Sequence, residues 1–384
     1  MTVISEDASV NTGATGWPSE SEAHMVVRRI QDKLHCWAVA EGDRRFDDLY
    51  NLVRDPAVLT MAWQRVASNK GSRTAGIDRV TVSWIASQYG AQEFLCQVRD
   101  QLRSRTFRPV PVRQVMIPKA SGKLRALGIP TVTDRVVQAA LKLVLEPIFE
   151  ADFSSVSYGF RPNRRAQDAI AEIHHFTTKS YEWVLEADIE ACFDNIDHTA
   201  LMDRIRARIG DKRVLALIKS FLKAGVMSTT GTVDGKITGT PQGGILSPLL
   251  ANIALSVLDE HFTTKWQQEM GSEQQRQKRR YHGLANYRLI RYADDFVVLV
   301  TARPLFARRR DAIEAHLTIV FTALAVSREI QNRTGLAIRN VIRQLRPLRS
   351  ATIAINGTQQ AFPPQSELTS RPSSTRSTAP GLTH

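Results

Sequence analysis

Asp294 and Asp295 stand side by side in Tyr292-Ala293-Asp294-Asp295, between the apolar segments YRLIRY at 287–292 and FVVLV at 296–300. Two carboxylates this close raise each other's pKa unless a cation neutralises them. Asp is also a frequent turn former, so the pair taken alone reads equally well as an Asp-rich turn. A third acid, Asp188, comes near the end of the apolar segment Leu185-Glu186-Ala187-Asp188-Ile189. If the two segments are neighbouring strands, Asp188 and Asp294 converge on one sheet edge and supply an oxygen-only site. Such a site suits Mg2+, which takes carboxylates and substrate phosphates in preference to a full protein cage. Two such ions about 3.5–4 Å apart activate the attacking oxygen and stabilise the leaving one in phosphoryl transfer. The alternative for Asp188 is a buried strand-end carboxylate satisfied by backbone.

Those acids need strands and helices to hold them. Strands are predicted at 182–189 and as the two arms of a hairpin over 287–300, flanking Ala293-Asp294-Asp295. The spacing of Met25, Val26, Ile30, Leu34 and Trp37 predicts a helix over about 24–40, with Gly42 as its stop. A second helical stretch runs over about 46–68, followed by the loop NKGSRTAGID at 69–78. Three prolines in FRPVPVRQVMIPK at 107–119 suit extended or edge-strand chain. Asp134 is expected to cap an amphipathic helix carrying Val136, Val137, Ala140, Leu141, Val144, Leu145 and Ile148. Further helices are expected at about 163–176, 198–209 and 211–224, and from Ser247-Pro248 through Glu260. Strands separated by helices without a regular alternation indicate an α+β fold.

The 384 residues can hold more than one module, and 43% hydrophobic with 23% charged residues excludes wholesale disorder. No apolar run approaches the roughly 18 residues of a membrane span, and residues 1–23 read as a loose polar leader rather than a signal peptide. Cys36, Cys96 and Cys192 are too few and too scattered for a disulfide framework or a paired-cysteine zinc module. A soluble intracellular protein is expected. The 51 Lys and Arg against 38 Asp and Glu give +13, which makes a polyanion the first partner to consider.

Five ordered blocks resemble those of reverse transcriptases: RQVMIPKASGKLRALGIPTVTDRVVQAAL at 113–141, SYGFRPNRRAQDAI at 157–170, ADIEACFDNIDH at 187–198, GTPQGGILSPLLANIAL at 239–255 and RYADDFVVL at 291–299. Their wording is closest to bacterial group II intron-encoded reverse transcriptase/maturases, and TAGIDRVTV at 74–82 resembles the upstream block those proteins carry. The resemblance covers roughly residues 17–300. It implies an RNA-directed DNA polymerase with right-hand fingers and palm, two Mg2+ ions, and a maturase role in RNA splicing for a mobile element. Its implied partners are group II intron RNA, an RNA template with a DNA primer, and deoxynucleoside triphosphates, with no membrane and with homodimerisation left open. Its implied location is the bacterial cytoplasm, in a nucleoid-associated ribonucleoprotein.

By the same resemblance, Asp188 and Asp294 are the metal-ligating carboxylates, Asp295 is the supporting acid, and the Ile189 carbonyl is a backbone ligand. Phe193 matches the aromatic that crowds the sugar 2′ position; otherwise it is a core phenylalanine. Lys123 and Arg125, with Lys119 nearby, match the basic pair that meets the triphosphate; otherwise they form a solvated hairpin. Gln242, in Pro241-Gln242-Gly243-Gly244, matches a nucleotide-pocket residue, and the paired glycines would let backbone approach substrate closely. Arg161, Arg164 and Arg165 would track the template backbone, or else form an exposed helix start.

The implied organisation is a flexible leader at 1–20, an N-terminal extension with an upstream fingers block at 21–106, fingers and palm at 107–300, and a non-family tail at 301–384. From Thr301 on there are twelve Arg, no Lys and four acids, a net +8 that leaves +5 to the first 300 residues. The blocks that follow YADD in the family, which form the primer grip and thumb, find no counterpart. The palm is therefore expected to be incomplete, the thumb missing, and the tail disordered from about Gly357. The abrupt change in composition motivates reading residues from about 301 as translated out of frame. A diverged tail is the alternative. Weak or no processive synthesis is expected, and a non-catalytic RNA-binding maturase or inactive remnant is the competing reading. A reverse transcriptase of another bacterial lineage fits the TAGID and YGFRPNRRAQDAI blocks less well.

Overall fold

The computed structural model of the protein describes residues 16–118, 124–189, 192–227, 233–234, 243–301, 351–355 and 358–362. Helices α1 (Glu20–Ala40), α2 (Tyr50–Val53), α3 (Pro56–Ser68), α4 (Val82–Gln88) and α5 (Ala91–Arg103) precede strands β1 (Val112–Pro118) and β2 (Leu124–Ile129). Next come α6 (Val132–Glu150), α7 (Ala166–Thr177), β3 (Trp183–Asp188), α8 (Cys192–Asn195), α9 (His198–Arg208) and α10 (Lys212–Lys223). The short strands β4 (Val226–Met227) and β5 (Val233–Asp234) lead to α11 (Ser247–Thr264) and a π-helical turn over Lys265–Met270. Then follow α12 (Glu273–Tyr281), β6 (Tyr287–Tyr292) and β7 (Asp295–Val300). The order is α+β, as the sequence predicts.

The expected helix over 46–68 is two helices. Asp55 caps the second, its carboxylate accepting from Ala57 N at 2.8 Å, and Pro56 occupies the first helical position where its missing N–H costs nothing. The expected cap at Asp134 is also displaced. Thr131 is the N-cap of α6; its Oγ1 accepts from Asp134 N at 3.1 Å and donates to Asp134 Oδ2 at 2.8 Å.

Helix α6 is buried on nearly every side, which marks it as the central post of the core. It packs against α1 and α3, and one hydrophobic cluster runs from Ala23 in α1 to Ile253 in α11. Pro147 interrupts its ladder by removing the donor that would serve the Leu143 carbonyl. Gln31 Nε2 of α1 donates to that carbonyl at 2.9 Å, so the lost bond is replaced across the helix interface.

Burial pushes the Asp134 carboxyl up from 3.8 to about 6, against its hydrogen bonds with Thr131. The folded chain thus holds this proton more tightly than the unfolded chain. The stabilisation is full below about pH 3.8 and is lost as pH rises through about 6, amounting to roughly 3 kcal/mol. Asp134→Asn should remove this dependence. Urea unfolding between pH 4 and 7 should show wild type losing stability relative to the variant as pH rises; parallel curves would contradict the assignment.

Among the described residues, two sheets are formed before residue 301. One has the order β2-β1-β4-β5, with β1 and β4 parallel (Val112 opposite Val226). The other has the order β3-β7-β6, all antiparallel, with α7 packed against it and α11 against β6. Ile290 and Leu299 join a cluster with Ala169 of α7, whereas Leu289 and Val298 join one with Leu258 and Phe262 of α11. No helix of the described residues is long and apolar enough to cross a membrane.

A separate compact unit contains an antiparallel hairpin of β8 (Ala351–Ile355) and β9 (Thr358–Phe362). Strand pairing therefore continues past Gly357, where composition alone predicts loose chain.

Candidate active site

The antiparallel register of β6 and β7 pairs Tyr292 with Asp295 and leaves Ala293 and Asp294 as the two-residue turn. Asp295 is thus the first residue of β7, not part of the turn. Ala293 has φ +60°, a left-handed value at the first turn position, where hairpins usually place glycine. Asp294 is half-buried and Asp295 exposed.

Strand β3 pairs with the other side of β7, with Leu185 opposite Val298 and Asp188 opposite Asp295. The two acidic segments are therefore strand neighbours. The carboxylate directly opposite Asp188 is Asp295, while Asp294 lies one residue away in the turn. Ile189 follows directly and is half-buried. The Asp188 side chain lies outside the described residues.

The turn is held from behind. Tyr158 N donates to the Arg291 carbonyl at 2.8 Å and Arg291 N donates to the Val156 carbonyl at 2.8 Å, so segment 156–158 runs beside β6. Gly159 comes next, and a Cβ there would stand 2.2 Å from Ala293 N and 2.9 Å from its Cα. Only a residue without a side chain lets the two backbones approach this closely. Asn252 Nδ2 of α11 donates to the Gly159 carbonyl at 2.9 Å, and Arg291 Nη1 donates to the Ala293 carbonyl at 2.8 Å. On the other face, Glu172 of α7 accepts from Arg288 at 2.6 and 2.9 Å and from the Tyr158 hydroxyl. Burial and that carboxylate push the Tyr158 phenol above its usual range.

Helix α6 and the glycine turn are tied to each other and to β2. Gln138 Oε1 accepts from Ile245 N at 2.8 Å. Gly243, at φ +110°, brings its backbone against β2; a Cβ would lie 2.5 Å from the Gly128 carbonyl. The close approach at this glycine is therefore to protein backbone. Arg135 of α6 is buried and donates to the carbonyls of Gly71, Thr74 and Pro130 at 2.5–2.9 Å. It thereby ties the TAGID loop to the start of α6.

Arg161 requires a correction. It does not face outward to a template but is buried, stacked on the Phe153 ring at 5.3 Å. It donates to the Glu150 carboxylate at 2.6 and 3.0 Å and to the carbonyls of Ser154 and Ser157. Every strong partner of its guanidinium is internal, so it braces the segment leading to Gly159. Arg164 is half-buried, over the Tyr158 ring at 5.1 Å, and Arg165 is exposed beside the start of α7. Phe193 is half-buried on α8 and packs against the main core. Lys119, Lys123 and Gln242 lie outside the described residues, as does the side chain of Arg125.

Carboxylate oxygens at a sheet edge, with no thiol or imidazole among them, fit a hard divalent cation. Among the described residues, no group of three or more His, Cys, Asp or Glu side chains is placed to hold a metal ion, and the Asp188 side chain is not among those described.

A family model described as "Reverse transcriptase (RNA-dependent DNA polymerase)" matches residues 117–332, and this span contains the β3 and β6–β7 strands with all three acids. The chain is a member of the reverse transcriptase family. YkfC of Escherichia coli (strain K12) is 36% identical over 295 residues, covering 72% of this chain and 76% of that protein. The group II intron-encoded protein LtrA of Lactococcus lactis subsp. cremoris is 41% identical over 219 residues, covering 57% of this chain and 35% of LtrA. The group II intron-encoded reverse transcriptase/maturases are thus its kin, and the chain spans about a third of LtrA's length. A chain of the partial Cas6-RT-Cas1--Cas2 complex is similar at 24% identity and a TM-score of 0.41, over 74% of this chain and 42% of that one. The reverse transcriptase match runs on past residue 300, beyond the change in composition on which the out-of-frame reading rests.

Five residues around this reverse transcriptase hairpin were not among the expected site residues: Ser157, Gly159, Asn252, Asp259 and Arg291. A signal exists for two of them, since Asn252 and Asp259 are seven residues apart on α11 and so share a face.

Proposed function

We propose that the chain is the RNA-directed DNA polymerase module of a group II intron-type reverse transcriptase/maturase. It would extend a DNA primer on an RNA template from deoxynucleoside triphosphates, and bind intron RNA within a cytoplasmic ribonucleoprotein. The observation that carries this reading is the register that sets Asp188 opposite Asp295, beside the Asp294 turn.

In this reading Asp188 and Asp294, with the Ile189 carbonyl, would hold two Mg2+ ions and Asp295 would support them. When bound, the ions lower the cost of charge developing on the attacking and leaving oxygens. The protein's own contribution is placement. Gly159 and Arg291 fix the turn, so the Asp294 carboxylate is presented without reorganisation. Phe193 would crowd a ribose 2′ hydroxyl and favour deoxynucleotides. Lys119, Lys123, Arg125 and Gln242 would meet the triphosphate, and Arg165 with Arg164 would meet template phosphates. Arg161 has no part in this, being occupied internally.

Primer extension by the purified chain on a primed RNA template tests the proposal. Extension that depends on both the RNA template and a divalent cation is expected. The competing reading, a non-catalytic maturase, predicts RNA binding and splicing assistance with no extension at any divalent metal concentration. That outcome would overturn the polymerase assignment.

A further inference from the structure

We infer that Arg291 is the positioning residue of the acidic turn, set by Asp259 and acting through the Ala293 carbonyl on the placement of Asp294. The inference rests on the polymerase reading for its catalytic consequence, but its structural part stands alone.

Arg291 and Asp259 are both fully buried. A guanidinium has five N–H donors in a planar fork, and here all five are used. Nε donates to Asp259 Oδ1 at 2.7 Å and Nη2 to Asp259 Oδ2 at 2.5 Å. Nη2 also donates to Ser157 Oγ at 2.7 Å, while Nη1 donates to Asn252 Oδ1 at 3.0 Å and to the Ala293 carbonyl at 2.8 Å. One side chain thus joins α11, the segment before Gly159, and the turn that bears Asp294. Its strand neighbours Leu289 and Ile290 pack into the two apolar clusters that cover the sheet, so Arg291 stands where an apolar residue would fill the space at lower desolvation cost.

A buried ion pair is weak support for stability, because well-packed apolar residues often replace it without loss. What an apolar pair cannot supply is a directed donor to a turn carbonyl. The turn needs one, because Ala293 is a non-glycine residue at φ +60°, a conformation that persists only when its surroundings over-determine it. Asn252 couples the two devices. It accepts from Arg291 through Oδ1 and donates to the Gly159 carbonyl through Nδ2, so the guanidinium also orients the amide that holds the backbone packed against the turn.

The test compares wild type with Arg291→Met/Asp259→Leu, which fills the space without charge, and with Arg291→Lys, which keeps the charge but not the fork. Readouts are thermal unfolding, RNA binding, kcat and KM for the nucleotide in primer extension, and amide hydrogen exchange. The double variant should unfold within a few degrees of wild type and bind RNA equally. Its kcat should fall at least tenfold with KM within twofold, and exchange should speed up at 293–296 but not along α11. Arg291→Lys should give the same pattern, less severely. Unchanged kcat and unchanged exchange in the turn would overturn the inference, as would exchange rising equally throughout α11 and the sheet. If the double variant does not fold, Arg291→Lys and Asp259→Asn are judged by the same criteria. If wild type extends no primer, the polymerase reading fails, and the exchange pattern alone decides whether Arg291 holds the turn.

Discussion

Asp294→Asn is expected to lower primer extension on an RNA template by about 10^2–10^3-fold or more while leaving RNA binding intact. Asn keeps the size of Asp and its ability to accept hydrogen bonds at the turn, so the hairpin register of Tyr292 with Asp295 should persist. What disappears is one negative charge at the place where, in the proposed reading, cations would be held against incoming phosphates. Losing a single group that stabilises developing charge costs about 10^2–10^3-fold in other enzymes. Asp295→Asn should cost less, on the order of 10–100-fold, the range of a group supporting a metal ligand from outside. The ordering matters more than either value. Steady-state extension measured over a range of Mg2+ and Mn2+ concentrations checks it. An Asp294→Asn chain within tenfold of wild type would remove the acidic turn from the chemistry and require the polymerase activity to rest on other carboxylates.

Gly159→Ala should be nearly as damaging, although residue 159 carries no functional group. Its Cβ would stand 2.2 Å from Ala293 N and 2.9 Å from both Ala293 Cα and the Tyr292 carbonyl carbon, all backbone atoms that no rotamer change can move. One backbone must shift by about an ångström, and overpacking of this kind costs roughly 1–3 kcal/mol. The segment on the Gly159 side is fixed by Arg161 to Glu150 and by Asn252 to the Gly159 carbonyl, and the turn by Arg291 at the Ala293 carbonyl, so the added methyl strains that grip and shifts Asp294. Misplacing a catalytic group by an ångström can cost about a hundredfold in rate. The expected result is a folded chain, destabilised by roughly 1–3 kcal/mol in urea, with extension reduced about a hundredfold. Wild-type activity in that variant would mean that the turn tolerates displacement.

How much of this was readable beforehand depends on how local the cause is. The YADD hairpin was legible because two apolar β-branched arms meet across a two-residue turn. The adjacency of β3 and β7 was legible only as a condition, since residues 183–188 and 295–300 are distant in sequence and nothing local selects the pairing. The break at Asp55-Pro56 carries a plain cap-and-proline signal that the longer helical periodicity overrode. Helix α12 buries no residue, so it has no apolar stripe to announce it. Arg161 shows the limit most clearly. Three arginines in GFRPNRR look alike as letters, and only the position of Glu150, eleven residues earlier on α6, decides which one turns inward. Arg291 is similar: an arginine amid apolar residues on a strand signals a buried partner, but Asp259 lies on another element.

The strand order β3-β7-β6 also dictates when the acidic edge can exist. The core around α6 draws on α1 and α3, so its first contacts lie within the opening 150 residues and are available early in synthesis. Strand β3 emerges soon afterwards, yet its sheet partner β7 ends only at Val300, with α8 through α12 and β6 intervening. Until then Trp183, Val184 and Leu185, about half exposed even in the finished sheet, have no β7 to pair with. The nascent chain therefore passes through a stage in which its helical half can be built while its chemistry cannot, and a ribosome pausing before codon 295 would hold an apolar strand in search of any edge.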